Sequence, residues 1–141
     1  MSKRIALMGA GIIASGVGRT LMSNGYELNC YNRTKANASD LIDAGAQYFD
    51  TPAAAAADAE FVLSAVWNKE ALDHVMLGPD GLYANAVEGQ MFIDMSTQLP
   101  ATAVSAAAEF AKKGAFFLDA PIHGSKAEAN SGGLWIMAGG E

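Results

Sequence analysis

The sequence predicts an α/β fold, a doubly wound and mostly parallel sheet with helices on both faces. Three observations predict it. Short apolar runs of four to seven residues recur along the chain, bounded by glycine, proline or polar residues, as buried parallel strands are. Segments with apolar or alanine positions at helical spacing separate these runs. Between the first run and the first such segment lies Gly9-Ala10-Gly11-Ile12-Ile13-Ala14, a G-x-G-x-x-A loop. With 141 residues, of which 51% are hydrophobic and 17% charged, the chain is expected to form a single domain over residues 1–141.

The elements follow in order. IALM (5–8) reads as the first buried strand. Ile13, Val17 and Leu21 then mark one face of a helix that Asn24-Gly25 stops. YELNCYN (26–32) is the second strand, residues 35–44 a helix with Gly45 beyond its end, and AQYF (46–49) a short third strand. Pro52 opens a helical turn that runs to Ala57, and EFVLSAV (60–66) is another buried strand. A helix over 68–76 leads into the turn Gly78-Pro79-Asp80-Gly81, and a strand over 90–94 follows. The helix 100–113 begins at proline and ends before Gly114, with Val104, Ala107, Ala108 and Ala111 on one face. Strands over 115–119 and 133–139 close the set. In such sheets ligands bind beyond the carboxyl ends of the strands, which places 64–67, 94–97 and 119–126 around a site.

The opening KRIALMGAGIIASGVG also has to be weighed as a targeting segment. Glycines at 9, 11, 16 and 18, closed by Arg19, interrupt the apolar run that a signal peptide requires. The run is also too short for a membrane span of about 20 residues. No membrane partner is expected. The lone Cys30 excludes an intramolecular disulfide framework and suits a cytoplasmic location, with the thiol in the core. Net charge is −6, yet residues up to Lys35 carry +4 and the remainder −10. An acidic chain of this kind makes a poor nucleic-acid binder but can hold a small polyanion at its basic first quarter.

Strand, glycine loop and helix together form the context of a Rossmann-like dinucleotide site. Gly9 makes the tight turn, Gly11 admits a pyrophosphate close to the backbone, and the N–H groups of Ile12 and Ile13 open the helix that receives it. Glycines also mark ordinary turns, so a purely structural loop is the competing reading. About 20 residues further on, an NAD site places an acidic residue on the ribose. Here stands Asn32-Arg33-Thr34-Lys35, whose guanidinium, hydroxyl and ammonium donors would attract a 2′-phosphate that a carboxylate would repel. The expected cofactor is therefore NADP. Thr34 is also placed to cap the following helix. Tyr31-x-x-x-Lys35 matches the catalytic spacing of short-chain dehydrogenases, but at the end of a strand it is a chance match.

The chain resembles the cofactor domain of the β-hydroxyacid dehydrogenases, which include hydroxyisobutyrate dehydrogenase, tartronate semialdehyde reductase and the glyoxylate/succinic semialdehyde reductases. The resemblance rests on Gly9-x-Gly11 with Leu21 and Gly25, Asn32-Arg33-Thr34, Asp94-Met95-Ser96-Thr97, and Asp119-Ala120-Pro121-Ile122-His123-Gly124-Ser125-Lys126 with Gly132 and Leu134. It implies that Val66 and Trp67 flank the nicotinamide, that Ser96 lies beside its ribose, and that Thr97 lines the substrate pocket. It also implies that the backbone N–H groups of Gly124 and Ser125 take a small carboxylate substrate. Ala14 replaces a third glycine, Trp67 a common proline, and His123 the serine that holds the substrate. A histidine there either donates to a carboxylate or spoils the pocket. Lys126 is expected to be an exposed loop cation, and His74 to be solvated on a surface helix.

No catalytic residue is assigned with certainty, and no metal site is expected. In the family a second, helical domain supplies a general acid/base lysine, and none of the nine basic residues here matches its motif. That domain is expected to be absent from these residues, so the chain is expected to bind NADP(H) while turning over substrate slowly or not at all. The expected function is the NADP(H)-binding domain of an oxidoreductase that transfers hydride between NADP(H) and a small β-hydroxyacid or semialdehyde. The alternatives are a stand-alone NADP(H)-binding or sensing module without catalysis, and a degenerate product with no ligand. The strand 133–139 is expected to present an apolar edge and so to favour a homo-oligomer.

Overall fold

A computed structural model describes residues 3–140. Six strands build the main sheet: β1 (Arg4–Met8), β2 (Glu27–Tyr31), β3 (Gln47–Tyr48), β4 (Phe61–Ser64), β5 (Met91–Asp94) and β6 (Phe116–Asp119). Their order is β3-β2-β1-β4-β5-β6, and every neighbouring pair is parallel. Neighbours β1 and β2 on one side and β1 and β4 on the other make β1 central, so the chain reverses its winding direction there.

The alternation within β1 explains why both faces need covering. Ile5 and Leu7 point into one core with Leu28, Cys30, Leu41 and Leu63. Ala6 and Met8 point into the other with Val62, Phe92 and Phe110. Period-two side chains that are apolar at both parities leave no solvated face, which is why the strand reads as a continuous apolar run. The Cys30 thiol lies in the first of these cores, and burial pushes its pKa up.

The described residues form seven α-helices: α1 (Ile12–Ser23), α2 (Ser39–Asp43), α3 (Pro52–Ala56), α4 (Lys69–Met76), α5 (Leu82–Asn85), α6 (Pro100–Ala111) and α7 (Lys126–Ser131), the last packed on α1. Phe110 fixes α6 on the sheet by stacking on Phe92, with ring centroids 3.9 Å apart. Two glycines of α1 do packing work that the loop motif does not describe. A Cβ on Gly18 would stand 2.6 Å from a Leu41 methyl, and one on Gly16 would stand 2.7 Å from the Cβ of Ala129 on α7. Among the described residues no helix is long and apolar enough to cross a membrane.

The structure departs from the sequence expectation in four places. The helix expected over 35–44 is a 3-10 turn, Lys35–Ala38, followed by the short α2. Thr34 makes no side-chain cap; its carbonyl instead accepts from Asn37 N at 3.1 Å, the tighter 3-10 geometry. The strand expected over 133–139 shrinks to β8 (Trp135–Ile136), which pairs antiparallel with β7 (Ile122–His123) outside the main sheet. Asp119 and Gly139 exchange backbone hydrogen bonds of 3.0 and 2.7 Å alongside β6, so the run is not one continuous strand, although Trp135, Ile136 and Met137 stay exposed on it. Finally, α5 and α7 were not foreseen, and Lys126 opens α7 rather than lying in a loop.

Candidate functional site

A cleft of about 740 Å³ runs along the carboxyl ends of β1, β2, β4 and β5. Residues 9–14, 31–34, 65–67 and 95–97 line it, with α4 supplying Ala71, His74 and Val75. All ten residues expected to hold the coenzyme therefore face one cavity: Gly9, Gly11, Ile12, Ile13, Asn32, Arg33, Thr34, Val66, Trp67 and Ser96. Thr97 joins them at the end of the wall.

The floor is the turn from β1 into α1. Gly9 has φ of +109°, and a Cβ there would lie 2.4 Å from the carbonyl oxygen of Ala65. The backbone of the first loop is thus pressed against the end of β4. Gly11 differs. Its extended φ of −70° suits any residue, and a Cβ there would meet no protein atom within 4 Å. Nothing in the fold demands glycine at this position, so its bareness serves the open cleft. Gly11 is also the N-cap of α1, where no side chain caps the helix and no acidic residue occupies the first turn. The unpaired N–H groups and the positive end of the helix dipole face the cavity, a natural seat for an anion.

Asn32 joins this loop to the end of β2. Its Oδ1 accepts from Ala10 N at 3.1 Å, and its Nδ2 donates to the Thr34 carbonyl at 2.8 Å. The amide is a strut between two loops, a role the sequence did not reveal. Arg33 is exposed, with Nη1 3.4 Å from Glu70 Oε1 on α4. Lys35, expected to share the phosphate, is not among the lining residues and instead stands 4.9 Å over the ring of Tyr48. Tyr31 OH lies 2.7 Å from His74 Nε2, so His74 is exposed as expected but has a partner. Tyr31 and Lys35 thus serve separate contacts, in keeping with a chance spacing.

The opposite wall is rigidly set. Val66 N donates to Ser96 Oγ at 3.2 Å, and Ser96 N donates to Asp94 Oδ1 at 3.0 Å. Gln98 donates to the other oxygen of Asp94. Asp94 is 1% exposed. Burial pushes its pKa up, hydrogen bonds from the Ser96 backbone and side chain pull it down, and neighbouring Asp119 adds a further upward push. Trp67, by contrast, is 95% exposed and stands at the rim.

The expected substrate segment behaves differently. His123, Gly124 and Ser125 lie beyond the cleft lining, which reaches only Ile122. His123 makes an edge contact with Trp135, their ring centroids 6.5 Å apart. Gly124 has φ of +142°, and a Cβ there would meet Leu134 at 2.7 Å, so backbone geometry explains this glycine. One of the two donors expected to take a substrate carboxylate, Ser125 N–H, is also engaged. Ser125 N donates to Glu128 Oε2 at 2.7 Å and its hydroxyl donates to the same oxygen, the capping box that starts α7. Ser125 N–H, expected to take the carboxylate, thus has an internal partner in Glu128. Its signal was present as Ser125-x-x-Glu128. Among the described residues no cluster of His, Cys, Asp and Glu could hold a metal ion.

Residues 4–141 match the family model of the NAD binding domain of 6-phosphogluconate dehydrogenase. The chain belongs to that family. Among its relatives, an uncharacterized oxidoreductase YfjR of Bacillus subtilis is 37% identical over 97% of this chain and 48% of its own length. A solved structure of Psf3 in complex with NADP+ and 2-OPP superposes with a TM-score of 0.93 at 27% identity, over 97% of this chain and 49% of that one. A 3-hydroxyisobutyrate dehydrogenase of Mycobacterium tuberculosis with L-serine superposes with a TM-score of 0.89 at 26% identity, over all of this chain and 47% of that one. The chain spans about half the length of these relatives. It is a dinucleotide-binding domain of hydroxyisobutyrate-dehydrogenase-like oxidoreductases, as its resemblance implied. NAD(P) is the cofactor class of this domain.

Proposed function

We propose that this domain holds NADP(H), rather than NAD(H), for an oxidoreductase that moves hydride between the coenzyme and a small β-hydroxyacid or semialdehyde. The observation that carries the coenzyme choice is Arg33. Among the described residues it is the one lysine or arginine lining the cleft, and it sits just past the end of β2 where an NAD site would carry an acid. The relatives support the chemistry: one was solved with NADP+, another is a 3-hydroxyisobutyrate dehydrogenase.

The bound coenzyme supplies the hydride. The chain's own residues do the binding and positioning. Backbone N–H groups at the start of α1 hold the diphosphate, with Gly11 leaving room for it. Arg33 and Thr34 receive the 2′-phosphate, the guanidinium as a fork of donors that a lysine cannot match. Val66 and Trp67 form the wall against which the nicotinamide lies. Ser96, anchored by Asp94, keeps Val66 in register with that wall. Thr97 presents an exposed hydroxyl at the end where a substrate approaches.

Fluorescence titration with NADPH and NADH tests the reading. NADPH is expected to bind at least about ten-fold tighter, the worth of one charge-assisted contact. Arg33→Glu is expected to abolish or invert that preference. Equal affinities in the parent chain overturn the choice of NADP, and failure of both dinucleotides to bind overturns the whole reading.

A further inference from the structure

Arg33 is not free. Its Nη1 lies 3.4 Å from Glu70 Oε1, and the two side chains come from opposite banks of the cleft. Arg33 follows the end of β2, whereas Glu70 occupies the first turn of α4. A second contact spans the same gap, the 2.7 Å approach of Tyr31 OH to His74 Nε2, one turn further along α4. The neighbouring acid on that helix, Asp73, is held by Lys69 at 2.5 Å. An anion arriving at Arg33 therefore finds the guanidinium already facing one carboxylate.

The geometry points to Glu70 as a specificity-determining residue that competes with the coenzyme's 2′-phosphate for Arg33. It thereby sets how strongly the domain favours the phosphorylated dinucleotide. This inference rests on the NADP(H) reading of the cleft. A 2′-phosphate gains the guanidinium only by displacing the Glu70 carboxylate, and it also feels that carboxylate's repulsion. A 2′-hydroxyl has no need of Arg33 and meets neither penalty. The pair is displaceable, because the Arg33 and Glu70 side chains are 63% and 81% exposed. Exposed pairs of this kind are weak, so Glu70→Gln is expected to tighten NADPH binding about two- to five-fold and to leave NADH unchanged.

The test titrates NADPH and NADH into the parent chain, Glu70→Gln, Arg33→Gln and the double variant. Asp58→Asn serves as a control: it removes the same unit of charge, but Asp58 pairs with Arg4 at 3.7 Å, at the start of β1 and the far end of the sheet. Tightening that is confined to NADPH, absent from Asp58→Asn and lost in the Arg33→Gln background supports the proposal. A silent Glu70→Gln, equal tightening of both dinucleotides, or tightening that survives Arg33→Gln overturns it. The parent chain separates this failure from that of the coenzyme reading. A parent preference for NADPH with a silent Glu70→Gln sinks only the role of Glu70, whereas a parent chain without that preference sinks both.

Discussion

Asp94 concentrates the electrostatics of the site in one side chain. Its pKa is raised above the ordinary 3.8 by burial, so the folded state holds the proton more tightly than the unfolded state does. The stabilising contribution is fully present below the ordinary value and is lost as pH rises through the raised one. Asp94→Asn removes this titration. The new amide keeps an oxygen for Ser96 N, and Gln98, whose Oε1 has no partner, can turn to accept from the new NH2. Asp94→Asn is expected to unfold within about 1 kcal/mol of the parent at neutral pH, with a flatter stability profile as pH rises above the ordinary 3.8. Asp94→Ala is expected to lose about 1–3 kcal/mol, because it strands the Ser96 N–H and the Gln98 amide. Thermal melts across pH check both outcomes. At this scale the sequence told which residues gather at the strand ends, because a parallel sheet brings them there. It did not tell where each side chain's hydrogen bonds go. Asn32 was counted among the coenzyme-binding residues and Ser125 N–H as a carboxylate donor; the structure adds that one braces two loops and the other caps a helix. Those partners are set by short-range geometry that residue identity alone leaves open.

Two glycines of α1 and its loop separate packing from binding at the scale of the element. Gly16→Ala places a methyl 2.7 Å from Ala129 Cβ and 3.1 Å from the Ala129 carbonyl carbon, so α7 has to shift. Overpacking of this kind is expected to cost about 1–3 kcal/mol. Gly11→Ala meets no protein atom and is expected to change stability by about 1 kcal/mol or less, chiefly through the poorer N-cap. The same methyl intrudes on the cleft floor, so dinucleotide affinity is expected to fall at least ten-fold, on the order of one lost charge-assisted contact. Denaturant titration and coenzyme titration of both variants test the contrast; a Gly11→Ala chain with parental affinity would remove the case for a diphosphate there. The six sheet strands were legible because each is an apolar run flanked by breakers, and their observed bounds fall inside the expected ones apart from Arg4, which opens β1 one residue earlier. The short helices α5 and α7 were not, since LYAN and KAEANS are too brief to show periodicity. The 133–139 run was misread for the opposite reason. Its apolar residues look like a sheet strand, but Trp135 and Ile136 remain exposed in a two-residue pairing with β7.

Over the whole molecule, a chain of net charge −6 is expected to bind a polyanionic coenzyme through a local exception to its overall field. Arg33 supplies that exception within the cleft. Its exposure leaves the interaction open to screening, since the Debye length shrinks from about 10 Å at 0.1 M salt to about 3 Å at 1 M. NADPH affinity is therefore expected to weaken several-fold between those salt concentrations, and NADH affinity to weaken less. Equal salt dependence for the two coenzymes would place the phosphate away from Arg33. Titrations at several ionic strengths decide the matter.

The six strands of the main sheet point the same way, with Arg4 opening the central one and Met8 delivering the chain to Gly9. A dye carried on the exposed Lys3 side chain thus sits at the rim opposite the glycine loop. Tethered to a sensor chip through Lys3, the protein presents its mouth to the flowing solution rather than to the surface.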